Sequence, residues 1–182
     1  MWVVEIDALF LMNTNPKQCG ARCDECPLGP NGALQKDEWR PVMGEFHPGA
    51  KILALGEAPR AEDINHGRPV MGTAAGEWSR FLATAGMNRS HVDLDNVIAC
   101  KPPGKVGGAW GRMEKSLDRL NKKRVSKGED PLPHPADCCR PRLLNVLSKY
   151  DKFIAFGKTA VRTLSGQSGS IHGIRGGPMY ID

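Results

Sequence analysis

Apolar and polar positions follow one another along the chain in blocks that predict short strands separated by helices. Residues 52–55 (ILAL) are apolar without interruption, which is typical of a parallel strand buried on both faces. Shorter apolar-rich segments predict a second strand over about 94–99 and a third over about 153–156. We expect these strands to pair in one short, mostly parallel sheet.

The segment that follows the first strand has helical spacing. Trp78, Phe81 and Leu82 stand at i, i+3 and i+4, so they share one apolar face and predict a helix over about 74–85. Thr73 directly precedes that segment and is the expected N-cap, because its hydroxyl can accept a hydrogen bond from the first turn.

Three more helices are expected further along the chain. Two of them cover about 137–149 and 157–164, and a short amphipathic helix is predicted by the spacing of Met113, Leu117 and Leu120. Strands that alternate with helices predict a three-layer α/β/α domain with a short, mostly parallel central sheet.

The composition agrees with a single domain over residues 1–182, and the net charge indicates which kind of partner the protein favours. Apolar residues make up 40% of the chain, and the formal net charge is +5, which favours an anionic partner such as DNA. Aromatic residues are only 6%, which argues against an extended base-stacking platform.

The first twelve residues are mostly apolar, but their pattern does not predict a targeting signal. Glu5 and Asp7 interrupt them and no positive start precedes them, so we expect a strand or helix packed on the domain. No other run is long enough to span a membrane, and we expect a cytoplasmic protein. In that compartment, six cysteines are expected to be metal ligands or free thiols rather than disulfides.

Three of the cysteines form a dense knuckle over residues 19–26. Cys23 and Cys26 are separated by two residues, a spacing that places two sulfurs on one turn and suits an iron-sulfur cluster or zinc. Buried free thiols are the third interpretation. Cys19 adds a C-x3-C-x2-C pattern that resembles the cluster motif of radical S-adenosylmethionine enzymes, but the chain is short for their barrel and Glu25 replaces an aromatic residue.

A polar loop follows the first strand at the point where α/β sheets present ligands. Gly56, Glu57, Ala58 and Pro59 turn the chain, and acidic residues and a Gly-Arg-Pro turn come next. A strand, a polar loop and a helix N-terminus predict a pocket for a polar or anionic ligand. The alternative is an ordinary connection between a strand and a helix.

Several segments, in order, resemble motifs of the family 4 (iron-sulfur) uracil-DNA glycosylases. They are GEAP at 56–59, GRPVMG at 67–72, NVIACKPPG at 96–104, CRPRL at 139–143 and FIAFGKTAVRTL at 153–164. One such motif would be weak, but several collinear ones are fairly specific. The resemblance covers the chain from about residue 23 to residue 176 and implies the fold predicted above.

The resemblance also implies a cofactor. By motif match, a structural [4Fe-4S] cluster is held by four cysteines, with zinc as the alternative metal and Cys138 as a weaker candidate for the fourth ligand. The four matching ligands are Cys23, Cys26, Cys100 and Cys139.

The implied activity is hydrolysis of the bond between uracil and deoxyribose in single- or double-stranded DNA. By motif match, Glu57 positions water or the sugar, and Asn96 reads the edge of the base, since an amide both donates and accepts hydrogen bonds. The residues implied in substrate binding are Gly56, Ala58, Pro59, Arg60, Asp63 and Val70.

Three departures from the family predict a weakened or altered enzyme. Arg60 replaces a glycine that allows close approach to a ligand, and Val70 replaces an aromatic residue that stacks on the base. The chain ends at Asp182, after the matching segment 174–176 and before the family's last strand and His-Pro-Ser motif. Two alternatives follow: an inactive iron-sulfur domain that binds DNA, or a copy completed by a second polypeptide. Otherwise we expect a monomer.

An insertion over 101–135 carries many basic residues. They predict either a solvated face or a surface that contacts the DNA backbone. The basic residues of this segment named here are Lys101, Lys105, Arg112, Lys115, Arg119, Lys122, Lys123, Arg124 and Lys127.

Overall fold

The computed structural model describes residues 15–35, 38–104 and 109–166. The expectations for residues 1–12, Lys105 and 174–176 lie outside these ranges. Within them, every helix is too short or too polar to cross a bilayer.

Three parallel strands form the sheet. They are β1 (Ile52–Gly56), β2 (Asp93–Asn96) and β3 (Lys152–Ala155), in the order β2-β1-β3. The central strand buries Leu53, Ala54 and Leu55 completely, as its uninterrupted apolar run predicts. In the pairing register, Gly56 lies opposite Asn96, so the carboxyl ends of β1 and β2 are level.

Five helices and one 3₁₀ turn surround the sheet in the described residues, and the α/β/α prediction is confirmed. The helices are α1 (Ala61–His66), α2 (Thr73–Thr84), α3 (Ala109–Val125), α4 (Pro135–Leu147) and α5 (Gly157–Ser165), and the 3₁₀ turn is Arg89–His91.

Two predictions about α2 are wrong in detail. Thr73 is the first helical residue and Gly72 occupies the N-cap with φ +65°, a left-handed conformation that glycine tolerates. Phe81 does not join the buried face with Trp78 and Leu82, because 51% of it is exposed.

The other boundaries shift where hydrogen bonds redirect the chain. The second strand ends at Asn96 rather than at residue 99, because the N–H groups of Val97 and Ile98 turn to the carbonyls of Gly56 and Glu57 at 2.9 and 3.2 Å. Helix α1 is absent from the sequence prediction, since its six residues are too few to show a helical period.

Helix α4 begins two residues earlier than predicted. The ring Nδ1 of His134 accepts the N–H of Ala136 at 3.2 Å, and Pro135 follows as the first helical residue, where its missing N–H has no consequence.

The core lies on both faces of the sheet, because successive side chains of β1 point in opposite directions. Leu55 packs in the larger cluster with the cysteines, and it is joined there by Met113 and Leu117 of α3. Ala54 packs in the smaller cluster with Trp78. The predicted amphipathic helix is therefore confirmed, and its apolar side is part of the cysteine-containing core.

Candidate active site

A cavity of about 810 Å³ opens at the carboxyl ends of β1 and β2. It brings together all but one of the residues that the motif match implied in catalysis and substrate binding. Pro59 is buried and is not among the lining residues. The implied residues that line the cavity are Gly56, Glu57, Ala58, Arg60, Asp63, Val70 and Asn96.

Asn96 and Gly56 are in close contact across the strand ends. A Cβ atom built on Gly56 would lie 2.4 Å from Asn96 Oδ1, so only glycine permits this approach. The backbone N–H of Asn96 donates to Asp95 Oδ1 at 2.7 Å, and this hydrogen bond fixes the backbone of Asn96. Within the described residues, its carboxamide forms no hydrogen bond to protein and lies on the cavity wall, so it is available to a ligand.

The carboxylate of Glu57 is oriented by the first turn of α5. Thr159 Oγ1 donates a hydrogen bond to Glu57 Oε2 at 2.5 Å. The half-buried Glu57 side chain is thereby held at the cavity wall, while its second oxygen has no such partner among the described residues. An oriented carboxylate with an uncommitted oxygen can bind water or stabilise a developing positive charge.

Asp63 acts on the loop backbone. Its Oδ2 accepts the N–H of Arg60 at 2.8 Å, and its Oδ1 accepts the N–H of Met71 at 2.7 Å. Both oxygens of this buried carboxylate are therefore occupied, and Asp63 ties the two ends of the loop together.

Val70 has a strained backbone, and the side chain of Arg89 supports it. Its φ is +56°, a conformation that β-branched residues rarely adopt. Arg89 donates from Nη1 to the Val70 carbonyl at 3.1 Å and from Nη2 to the Pro69 carbonyl at 2.6 Å, and a bidentate ion pair with Glu45 fixes its guanidinium. The cavity wall at Val70 is thus built by contacts distant in sequence.

Three aromatic side chains also line the cavity, and motif reasoning missed them as site residues. Trp78 and Phe81 come from α2, and Phe156 follows β3. Their helical or strand periodicity pointed to a core role. The indole Nε1–H of Trp78 is buried and has no hydrogen-bond partner among the described residues, a feature that costs about 1–3 kcal/mol unless a water or ligand satisfies it.

The cysteines gather on the other side of β1. All six are buried free thiols, and Cys26, Cys100, Cys138 and Cys139 share one core cluster. The knuckle is joined to α4 by a hydrogen bond from the Arg22 N–H to the Cys138 carbonyl at 2.9 Å.

Two contacts shape the surroundings of these sulfurs. Trp39 Nε1 donates to Cys100 Sγ at 3.3 Å. The backbone packs closely around the knuckle, since a Cβ on Gly29 would lie 1.8 Å from the Cys23 carbonyl oxygen.

Burial and neighbouring sulfurs shift the pKa values of these thiols. Burial and then the nearby Cys139 raise the pKa of Cys23 to about 11. Burial and then Cys139 likewise raise the pKa of Cys100 to about 12. A hydrogen bond with Cys138, followed by burial, raises the pKa of Cys26, and the same bond lowers the pKa of Cys138.

Comparison with known proteins places these features in a family. Residues 43–179 match the model of the uracil DNA glycosylase superfamily. The chain belongs to the uracil DNA glycosylase superfamily.

Relatives of this superfamily member include type-4 uracil-DNA glycosylases, which confirms the resemblance in its motifs. The protein from Thermotoga maritima is 27% identical over 161 residues, which cover 87% of this chain and 69% of the relative. The protein from Pyrobaculum aerophilum is 35% identical over 81 residues, which cover 44% of this chain and 38% of the relative. The protein from Archaeoglobus fulgidus is 32% identical over 87 residues, 48% of this chain and 44% of the relative. The chain thus matches less than half of the length of two of these relatives.

The donor chemistry of this superfamily member suits a thiolate-bound metal. Four thiolates in one buried region would repel one another, and iron or zinc cations offset that repulsion and favour deprotonation. Among residues 15–35, 38–104 and 109–166, however, no three His, Cys, Asp or Glu side chains are arranged as a preformed metal site. Residue type and burial therefore fit a metal centre, and metal binding would require local side-chain adjustment.

Helix α3 gives the insertion a cationic outer face. Its apolar residues face the core, and Arg112, Lys115, Arg119, Lys122 and Lys123 are exposed to solvent. Arg124, by contrast, forms an ion pair with Glu129, with Nη1 and Oε2 2.9 Å apart.

Proposed function

We propose that this protein excises uracil from DNA by hydrolysing the N-glycosidic bond. The observation that carries the proposal is the placement of Asn96 and Glu57 on one cavity, at the level ends of two adjacent strands. One residue offers an amide suited to a pyrimidine edge, and the other offers an oriented carboxylate. The names of its relatives support the same activity.

The two side chains match the charges that develop as the bond breaks. Positive charge grows on the sugar and negative charge on the departing base. The carboxylate of Glu57 holds the attacking water and faces the sugar cation, while the Thr159 hydroxyl keeps it in place. The carboxamide of Asn96 hydrogen-bonds the pyrimidine edge, and its position depends on the absence of a side chain at Gly56.

A single-turnover assay on single- and double-stranded DNA with one uracil tests this proposal. We expect release of uracil by the wild type, and a fall of about 100-fold or more for Glu57→Ala and for Asn96→Ala. The matched control is Asp118→Ala, which removes an exposed carboxylate of α3 outside the cavity. Release no faster than by Glu57→Ala refutes the proposal, and DNA binding without release would identify an inactive accessory domain.

We further propose that Cys23, Cys26, Cys100 and Cys139 hold a [4Fe-4S] cluster with a structural role. When bound, the cluster joins the N-terminal knuckle to the chain after β2 and to α4. The support is the gathering of buried thiols at those three places.

Anaerobic purification followed by iron, sulfide and zinc analysis tests the cluster. We expect equal amounts of iron and sulfide, which Cys139→Ser loses and Cys19→Ser retains. Zinc without sulfide would establish the alternative metal. Well-folded protein without metal would refute both assignments.

We propose that the exposed cations of α3 contact the DNA backbone. Replacing Lys115 and Arg119 by Gln is expected to reduce the slope of log affinity against log salt by about one unit per lost phosphate contact. Lys51→Gln is the control, because Lys51 is exposed at the opposite end of β1 from the cavity. An unchanged slope in the α3 variants would leave α3 as a solvated face.

A further inference from the structure

We infer that Phe81 and Phe156, held in place by Trp78, form the aromatic wall against which the extruded base packs, parallel to one ring and edge-on to the other. This inference rests on the proposed function and deepens it, since it names the residues that select a flat heterocycle. Val70 lines the same cavity but is aliphatic, so the aromatic side chains of the cavity come from α2 and from the residue that follows β3. Valine can line a pocket but has no π face for a base.

The three rings form one aromatic unit. Trp78 and Phe81 are stacked, with ring centroids 5.4 Å apart and planes inclined by 16°. Trp78 and Phe156 meet edge to face, with centroids 5.1 Å apart and planes at 89°. These are the offset-stacked and T-shaped arrangements that aromatic pairs prefer. Because Trp78 is only 3% exposed, it anchors the other two rings in a fixed relation.

This unit lies on the same cavity as the proposed chemistry. The backbone N–H of Phe156 donates to the Leu55 carbonyl at 2.8 Å, which places Phe156 at the carboxyl end of the sheet, one strand from Glu57. Phe81 is 51% exposed and also lines the cavity, so part of its ring is available to a ligand. A base whose edge meets Asn96 at one side of the sheet therefore has aromatic faces within the same cavity.

Val70 belongs to this wall as an aliphatic neighbour. It packs against the cluster that contains Trp78, as Phe156 does. Its carbonyl accepts a hydrogen bond from Arg89, and the N–H of the next residue, Met71, donates to Asp63. The wall thus combines an aliphatic position on the loop with aromatic positions on α2 and after β3.

Equilibrium binding with two single-stranded oligonucleotides tests the stacking surface. One carries a central 2′-fluoro-2′-deoxyuridine, which resists hydrolysis, and the other carries a tetrahydrofuran abasic analogue at the same position. The wild type is expected to prefer the uracil oligonucleotide. At least one of Phe81→Leu and Phe156→Leu should lower that preference about 5- to 150-fold, the range for loss of one base-aromatic stack, and both should leave the affinity for the abasic analogue within about twofold.

The controls separate stacking from folding and from catalysis. Val125→Ala removes another exposed apolar side chain, on α3, and should not alter the preference. Phe81→Leu keeps an apolar side chain at a half-exposed position, and its melting temperature is measured alongside. A preference unchanged in both variants, or absent in the wild type, overturns the inference. Because the probe is not cleaved, this result is independent of uracil release, and release with an unchanged preference would overturn the stacking surface alone.

Discussion

The buried ion pair between Asp95 and Arg142 connects the site to the cysteine-bearing helix, and its removal is a sharp test of the structure. Asp95 precedes Asn96 in β2, and Arg142 lies in α4. The two side chains are 0% and 1% exposed, and Oδ2 and Nη1 are 2.6 Å apart. Arg142 Nη2 also donates to the Asn96 carbonyl at 2.6 Å, so α4 holds the backbone of the proposed base-reading residue.

Asp95→Asn removes the counter-charge and the Oδ2 atom that accepts the hydrogen bond of Arg142 Nη1. The amide keeps an Oδ1 acceptor for the Asn96 N–H, so the local turn survives. The guanidinium of Arg142 is then buried without compensation, and its Nε already has no hydrogen-bond partner in the described part of the chain. Breaking a buried pair in this way costs about 3–5 kcal/mol, a large share of the roughly 5–15 kcal/mol that stabilises a typical domain.

Urea unfolding followed by circular dichroism measures this loss of unfolding free energy. In a thermal scan, the melting temperature should fall by about 6–20 °C. The double variant Asp95→Asn, Arg142→Met should be more stable than Asp95→Asn alone, because it removes the unpaired buried charge. Glu129→Gln, which breaks the partly exposed pair with Arg124, should cost less than about 1 kcal/mol. A loss below about 1 kcal/mol for Asp95→Asn, or a double variant less stable than the single one, would refute the reasoning.

Further predictions concern the loop and the acid response. Gly56→Ala should displace the Asn96 carboxamide, since the new Cβ meets its oxygen at 2.4 Å, and should reduce uracil release at least tenfold; wild-type release would contradict the close contact. Arg89→Lys should lose the bidentate hold on Glu45 and the support of Val70, and so weaken DNA binding more than it slows the chemical step; an equal loss in both would argue against a positioning role. Burial alone would raise the pKa of Glu45, but the hydrogen bond and charge of Arg89 lower it below its usual value. The ion pair therefore stabilises the fold above the unfolded pKa, and this stabilisation is lost as pH falls through the folded pKa. Urea titrations between about pH 3 and 6 should show wild type losing stability relative to Glu45→Gln; parallel curves would contradict this.

Much of the architecture could be predicted from local pattern. The apolar run of β1 needed both faces covered, and the spacing of Met113 and Leu117 required an apolar neighbour for α3; both are confirmed by complete or near-complete burial. The order of short strands and helices was enough to predict the layered fold. The motifs were enough to identify the superfamily, because their residue types and spacing can be compared along the chain without knowledge of the fold.

What each site residue contacts was decided by tertiary structure. Asp63 was expected among the substrate-binding residues, yet both of its oxygens accept backbone N–H groups of its own loop. That outcome depends on the fold of α1, which has no sequence period to reveal it. Likewise, the spacing of Phe81 indicated a core position, and only the placement of α2 beside the strand ends put its ring at the cavity.

The sequence by itself determined the three strands, four of the five described helices and the family, because these depend on periodicity and on residues close together along the chain. Tertiary structure decided the contact between Asn96 and Gly56, the support of Val70 by Arg89 and the gathering of the cysteines from three distant segments. These contacts join residues 19 to more than 70 positions apart, and no local pattern encodes which of the available partners will meet once the layers pack.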